Sequence, residues 1–235
     1  MSFGDMFDGY LVLHSSKYSP ERLPYLKKEL ERVGVKSYEL VDPVDISNND
    51  PRLDRYRKGV LSHLCSVIKG IEIAEIKKWK TLVFMEDDIV FRSSFNKMWS
   101  DVEPRLKETD WGMVSPFMMP LDGSYVVKEK FFSKVMLVPI KHNVLSHLWI
   151  FNSAFYSEIK EALKACLRQG WPGDFIYGVI SDKYPERLYA TTKNLAGQSL
   201  RFKSTLQNAR KARLFYGEFR CSISCLDFHV VNLIG

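Results

Sequence analysis

The sequence predicts an α/β fold, a Rossmann-like, mostly parallel sheet flanked by helices. Three observations carry this. Apolar runs and amphipathic stretches alternate as strand, helix, strand, helix, strand from Tyr10 to Met85. The run Thr81-Leu82-Val83-Phe84-Met85 is continuously apolar rather than alternating, as suits a strand covered on both faces. And 235 residues, 46% hydrophobic and 26% charged, can bury a sizeable core, with no Pro/Gly/Ser-rich linker to divide them. One domain over residues 1–235 is expected, and the composition excludes disorder, coiled coil and collagen.

The elements follow in order. Tyr10 to Leu13 reads as a strand ending in the polar His14-Ser15-Ser16. Ser19-Pro20 has the form of an N-cap followed by proline at the first helical position. Leu23, Leu26, Leu30 and Val33 then recur at helical spacing, and Gly34 can take the left-handed conformation that ends a helix. Val35 to Val41 predicts a second strand, and the polar stretch from Asp42 to Arg57 a loop. After Gly59, the spacing of Leu61, Leu64, Ile68 and Ile71 predicts a helix closed by basic Lys77-Lys78-Trp79-Lys80, where cations suit a C-terminus. It feeds the central strand. Phe95, Met98, Trp99, Val102 and Leu106 give a helix despite Pro104, and Trp111 to Val114 a strand. Tyr125 to Val138 alternates turn signals with β-formers and reads as a hairpin region. His147 to Phe151 reads as a strand, Glu158 to Leu167 as a helix, and Trp171-Pro172-Gly173-Asp174 as a sharp turn before a short helix.

The net charge is +6, so the surface favours anions such as sugar nucleotides, lipid headgroups or nucleic acid. Basic residues thicken in a C-terminal segment with Arg201, Lys203, Arg210, Lys211, Arg213 and Arg220, opposed by Glu218 and Asp227. A basic binding face and a solvated helix surface both account for it. Met1 to Gly9 holds two acids and no basic residue, so no signal peptide is expected. Cys65, Cys166, Cys221 and Cys225 are accordingly expected as free thiols, and the spacing of the last two lacks the partners of a zinc finger. No apolar run reaches the length of a membrane span. A cytoplasmic protein is expected, with peripheral contact at a membrane left open, or a host-cytoplasmic one if virus-encoded.

The most informative segment is Met85-Glu86-Asp87-Asp88-Ile89-Val90, three consecutive carboxylates at the carboxyl end of the most buried strand. Ligands of open α/β sheets bind outside that end. Adjacent like charges repel, and a hard divalent cation, Mn²⁺ or Mg²⁺, is the usual way to hold them together while keeping positions open for diphosphate oxygens. A merely solvated acidic turn is the other reading of the same residues.

The segments Gly9-Tyr10-Leu11-Val12-Leu13 with Ser19-Pro20-Glu21-Arg22, then Gly59-Val60-Leu61-Ser62-His63-Leu64, then Leu82 to Ile89 resemble, in order and spacing, three successive motifs of glycosyltransferase family 25, the lipopolysaccharide- and collagen-type galactosyl- and glucosyltransferases. Gly197-Gln198-Ser199 with Ser204 is similar to that family's C-terminal region. The resemblance covers about the first 95 residues well and the remainder loosely. It implies a GT-A fold, with residues 1–115 as the nucleotide-sugar-binding half and 116–235 as the acceptor half. It also implies hexose transfer from a donor such as a UDP-sugar, usually with inversion, aided by Mn²⁺ or Mg²⁺.

Carried over residue by residue, Asp88 takes the place of the metal-binding acid, Glu86 that of the acid near the ribose, and Asp87 supports both. Leu13, His14, Arg22 and Ser62 fall in the donor-binding motifs, though His14 stands where an Asp or Asn is more usual, which leaves base selectivity undetermined. Asp174, after its Trp-Pro-Gly turn, is the candidate general base, with Asp182 and Asp122 as rivals and N-capping as its alternative role. His229 fits a C-terminal metal ligand or a core position beside Phe228 and Val230. His63, among Leu61, Leu64 and Cys65, suits a structural hydrogen bond.

Two acceptor classes stand beside a non-enzymatic alternative. A glycan or glycolipid is the first. A DNA acceptor is the second, supported by the basic C-terminal segment with Phe202, Phe215, Tyr216 and Phe219 interleaved for stacking. A catalytically inactive GT-A domain that binds a glycan or partner is the third reading, against which stands the cost of three adjacent carboxylates without a cation.

Overall fold

The computed structural model describes residues 2–46, 55–117, 134–141, 143, 147–199 and 201–202. In chain order the elements are β1 (Gly9–Leu13), α1 (Arg22–Arg32), β2 (Glu39–Val41), α2 (Arg55–Ile76), β3 (Thr81–Glu86), β4 (Ile89–Phe91), α3 (Phe95–Glu108), β5 (Met113–Ser115), β6 (Leu137–Pro139), β7 (Leu148–Asn152), α4 (Tyr156–Gln169), α5 (Ile176–Ser181), β8 (Leu188–Thr191) and β9 (Ala196–Gln198). Seven strands form one sheet in the order β2-β1-β3-β7-β5-β8-β6, while β4 and β9 pair as a separate antiparallel ribbon. All the sheet strands run in one direction except β7 and β6, so the expected mostly parallel α/β sheet is present with an antiparallel strand at its centre.

The continuous apolar run of β3 has the physical basis its pattern suggests. Val83 and Met85 pack with Tyr10 and Val12 of β1 and with α1 and α3 on one face. Leu82 and Phe84 pack with Leu11, Trp149 and the helices α2, α4 and α5 on the other. Period-2 alternation therefore persists, but both sets are apolar because both faces are covered. Close packing is felt at Gly9, where a β-carbon would stand 1.9 Å from the Trp79 ring.

Several elements depart from their sequence patterns. β2 spans Glu39–Val41 rather than starting at Val35. Ser19 caps no helix: α1 starts at Arg22 with Glu21 before it, and the Ser19 hydroxyl instead donates to Asp87. Gly34 does take a left-handed φ of 85° after α1. α2 already includes Arg55, and beyond it Lys78 takes a φ of 58° where the chain turns into β3. Of the hairpin expected over Tyr125 to Val138, residues 125–133 lie outside the described residues, and β6 pairs antiparallel with the distant β8. No helix among the described residues is long and apolar enough to cross a membrane.

Candidate active site

Strand register assembles the acidic cluster. Leu13 of β1 stands opposite Glu86 in the parallel pair, so the next residues, His14 and Asp87, are neighbours. The His14 Nδ1 lies 2.8 Å from Asp87 Oδ2. On the other side, Met85 pairs with Leu148 of β7, which brings His147 beside Glu86. The Glu86 amide donates to the His147 carbonyl at 2.9 Å, and His147 Nδ1 lies 3.1 Å from Glu86 Oε2. Past the turn, Ile89 pairs with Gln198, and the Gln198 side chain donates to Asp88 Oδ2 at 2.9 Å.

The three carboxylates thus meet different partners. Asp87 is buried and saturated: Arg22 donates to Oδ1 at 2.7 Å, and Oδ2 accepts from the Ser19 hydroxyl at 2.9 Å besides facing His14. Glu86 lies between two imidazoles, His147 on Oε2 and His63 Nε2 at 3.2 Å from Oε1, the latter at ion-pair distance without the alignment of a hydrogen bond. Asp88 is 2% exposed, and its Oδ2 accepts from Arg22 at 3.0 Å and from Gln198. Its Oδ1 is buried with no hydrogen-bond partner.

These surroundings set the charges. Burial works to raise the Glu86 pKa, but His147 and His63 together override it and hold the carboxyl well below its usual range. Burial also opposes charge on His147, and the Glu86 carboxylate outweighs it, pushing the imidazole up to about 9. Asp88 is pushed up to about 6, first by burial and then by the Glu86 charge. Arg22, although desolvated, is raised by Asp87 and Asp88.

Glu86, Asp88 and His147 offer ligand atoms all within 4.8 Å of one another. Two carboxylates and an imidazole suit a divalent cation, and the orphaned Asp88 Oδ1 is the buried atom that such an ion would satisfy. The residues present fit a metal.

The other expected site residues are distributed around this cluster. A cleft of about 720 Å³ is lined by Leu13, Arg22, Ser62, His63, Glu86 and Asp87, with residues 42–46 of the chain between β2 and α2. His14 is 3% exposed and lies behind it, holding Asp87. Ser62 donates its hydroxyl to the Val44 carbonyl at 2.6 Å, which fixes the cleft wall to α2. Asp174 is half-buried in a single 3-10 turn, Gly173–Phe175, and stands near enough to His147 to contribute to its raised pKa. A β-carbon at Gly173 would lie 3.3 Å from both His63 Nδ1 and the Trp149 ring, so this turn sits against the cluster. Asp182 is exposed beyond the end of α5. Asp122, His229, Ser204, Cys221, Cys225 and the basic segment from Lys203 onward lie outside the described residues. His147 and Gln198 are the residues at the carboxylates that motif reading does not place there. Only the pairing of β3 with β7 and of β4 with β9 reveals them.

No protein-family profile matches this chain, and no curated protein does. Among solved structures, the chain is similar to a glycosyltransferase involved in glycosylation of the major capsid of PBCV-1, at 10% identity over 77% of this chain and 79% of that one, with a TM-score of 0.49. It is similar to a mutant of Drosophila β1,4-galactosyltransferase 7 in complex with manganese, UDP-Gal and xylobiose, at 13% identity over 87% and 77% of the two chains, TM-score 0.43. A protein from STIV is matched at 17% identity over 77% and 79%, TM-score 0.43. The assignment of chemistry rests on this chain's own residues.

Proposed function

We propose that this chain is a metal-dependent glycosyltransferase of the GT-A type, moving a hexose, galactose or glucose, from a nucleotide-sugar donor to a glycan or glycolipid acceptor with inversion. The observation that carries the reading is the unpartnered Asp88 Oδ1 in a group with Glu86 and His147, of which Glu86 lines the cleft. Its volume of about 720 Å³ is in the range of small-molecule and cofactor sites.

Glu86, Asp88 and His147 would hold the cation, and the mixed oxygen and nitrogen set accepts Mn²⁺ more readily than Mg²⁺. Bound there, it supplies Lewis-acid neutralisation of the leaving diphosphate. Arg22 and Gln198 occupy Asp88 Oδ2 and leave Oδ1 without a hydrogen bond, while Asp87 anchors Arg22. Asp174 takes the proton of the acceptor hydroxyl. The acceptor oxygen forms a bond to the anomeric carbon as the bond from that carbon to the diphosphate oxygen breaks, and the nucleoside diphosphate leaves with the electron pair.

A second reading has one observation in its favour. Arg22 and His147 compensate much of the acidic charge internally, as a catalytically inactive, glycan-binding domain would require. Incubation with a panel of nucleotide sugars and Mn²⁺, with donor hydrolysis measured against an EDTA control, separates the two. Metal-dependent release of nucleoside diphosphate is expected from the enzyme. Mn²⁺ binding without any turnover would leave the binding domain.

A further inference from the structure

We infer that Trp171 and Phe175 form an aromatic platform for the apolar face of a pyranose ring, delivering it to Asp174; calling that ring the acceptor rests on the transferase reading above. Both side chains are 41% exposed, and among the described residues they are the only exposed tryptophan and phenylalanine. Their ring centroids lie 5.7 Å apart with planes tilted by 33°, so the two rings form one exposed aromatic pair. They bracket Pro172-Gly173-Asp174 in the chain.

The platform is held in place by the backbone. α4 ends at Gly170 with a left-handed φ of 67°, the Trp171 amide donates to the Cys166 carbonyl at 2.9 Å, and the Phe175 amide to the Pro172 carbonyl at 3.1 Å. Gly173 is pressed against His63 and Trp149. His63 also lines the cleft, so the turn that carries the two aromatics packs through Gly173 against a residue of the cleft wall. A transfer reaction needs acceptor and donor positions that adjoin, and Gly173 against His63 is the contact that joins this turn to the cleft.

The chemistry selects a sugar. A pyranose has a face of C–H groups, whose positive edges are attracted to the π-face of an aromatic ring, and a rim of hydroxyls that can stay hydrated or reach a carboxylate. Asp174 supplies that carboxylate one residue from Phe175. A nucleobase could stack on the same rings, but its phosphates would then approach the Asp174 carboxylate, and residues 171–175 include no cationic side chain to bind them.

The test uses methyl β-D-galactopyranoside, methyl β-D-glucopyranoside and methyl α-D-mannopyranoside as probes, followed by saturation-transfer NMR on the full chain. At least one should bind through its ring C–H protons, with a Kd that rises about ten-fold in Trp171→Ala and is largely restored in Trp171→Tyr. Partial exposure lets both variants fold, and the Tyr variant separates stacking from a packing defect. Binding that survives the double variant Trp171→Ala/Phe175→Ala overturns the inference, as does failure of all three probes to bind. A concentration-dependent dimer, or pelleting with phosphatidylcholine vesicles, that is lost in the double variant overturns it in favour of a self-interface or a lipid contact. Sugar binding that depends on Trp171 in a protein that hydrolyses no nucleotide sugar sustains the platform and removes the transferase reading.

Discussion

Replacing Arg22 by Met tests how the acidic cluster is held together. Arg22 is 4% exposed, and one guanidinium nitrogen serves two carboxylates, Asp87 at 2.7 Å and Asp88 at 3.0 Å. All three side chains are at most 6% exposed, so solvent screening does little to soften the loss. Methionine restores apolar volume but no charge. Asp87 would keep His14 and Ser19, and Asp88 would keep Gln198, leaving two buried carboxylates short of a cation. Removing one partner of a buried pair costs about 3–5 kcal/mol. Asp88 can escape by taking a proton, because its carboxyl is already pushed up to about 6, which places the loss at pH 7.5 near the lower figure, about 3 kcal/mol. For a chain of this size that corresponds to a fall in Tm of roughly 6–12 °C. Urea unfolding in EDTA, followed by tryptophan fluorescence, measures it. At pH 5 Asp88 is mostly neutral in the parent as well, so its share of the loss disappears and the cost of the variant shrinks. A loss under about 1 kcal/mol at pH 7.5, or the same loss at both pH values, would refute the account.

Three further outcomes are expected. Asp88→Asn removes the unpartnered oxygen's charge and should weaken Mn²⁺ binding by about 100-fold or more in calorimetry, with the fold retained; undiminished affinity would move the metal elsewhere. Asp174→Asn should lower kcat by roughly 10²–10⁴-fold with donor Kd retained, and the reverse pattern would make Asp174 a binding residue. In EDTA the raised His147 pKa contributes stability that is complete below about 6.5 and lost as pH rises through about 9, amounting to about 3 kcal/mol across that window. His147→Gln should flatten this alkaline limb in urea titrations, and an unchanged slope would show that His147 is not the titrating group.

What the sequence made legible was local. The stripe of Leu26, Leu30 and Val33, the apolar run of β3 and the end of α1 at Gly34 are read from a few neighbouring residues, and all three appear in the structure. What escaped was set by pairing across long separations. His147 looked like the first residue of a strand, and nothing near it in the chain says that its partner is Glu86, 61 residues away. Ser19 had the local form of a helix cap, yet Asp87 offers its hydroxyl a buried, charged acceptor, and a charge-assisted bond outweighs a cap to a backbone amide. The antiparallel direction of β7 was likewise invisible, since a strand buried on both faces has the same composition in either direction.

The acidic triplet shows how far local charge reasoning reaches. Three adjacent carboxylates, taken alone, demand a cation. In the folded chain alternation along β3 and its turn sends them to different places, so that Asp87 meets Arg22, His14 and Ser19 while Glu86 meets His147 and His63. Repulsion among them is therefore largely met by the protein's own cations. The demand for a metal contracts to Asp88, whose Oδ1 the surrounding side chains leave without a hydrogen bond and which offers a carboxylate oxygen within 4.8 Å of ligand atoms of Glu86 and His147. A site built only for stability would gain from filling that position, as Gln198 fills Oδ2. An unpaired carboxylate oxygen in a group with a second carboxylate and an imidazole is therefore what the proposed metal reading rests on, once the rest of the cluster is neutralised by the protein's own side chains.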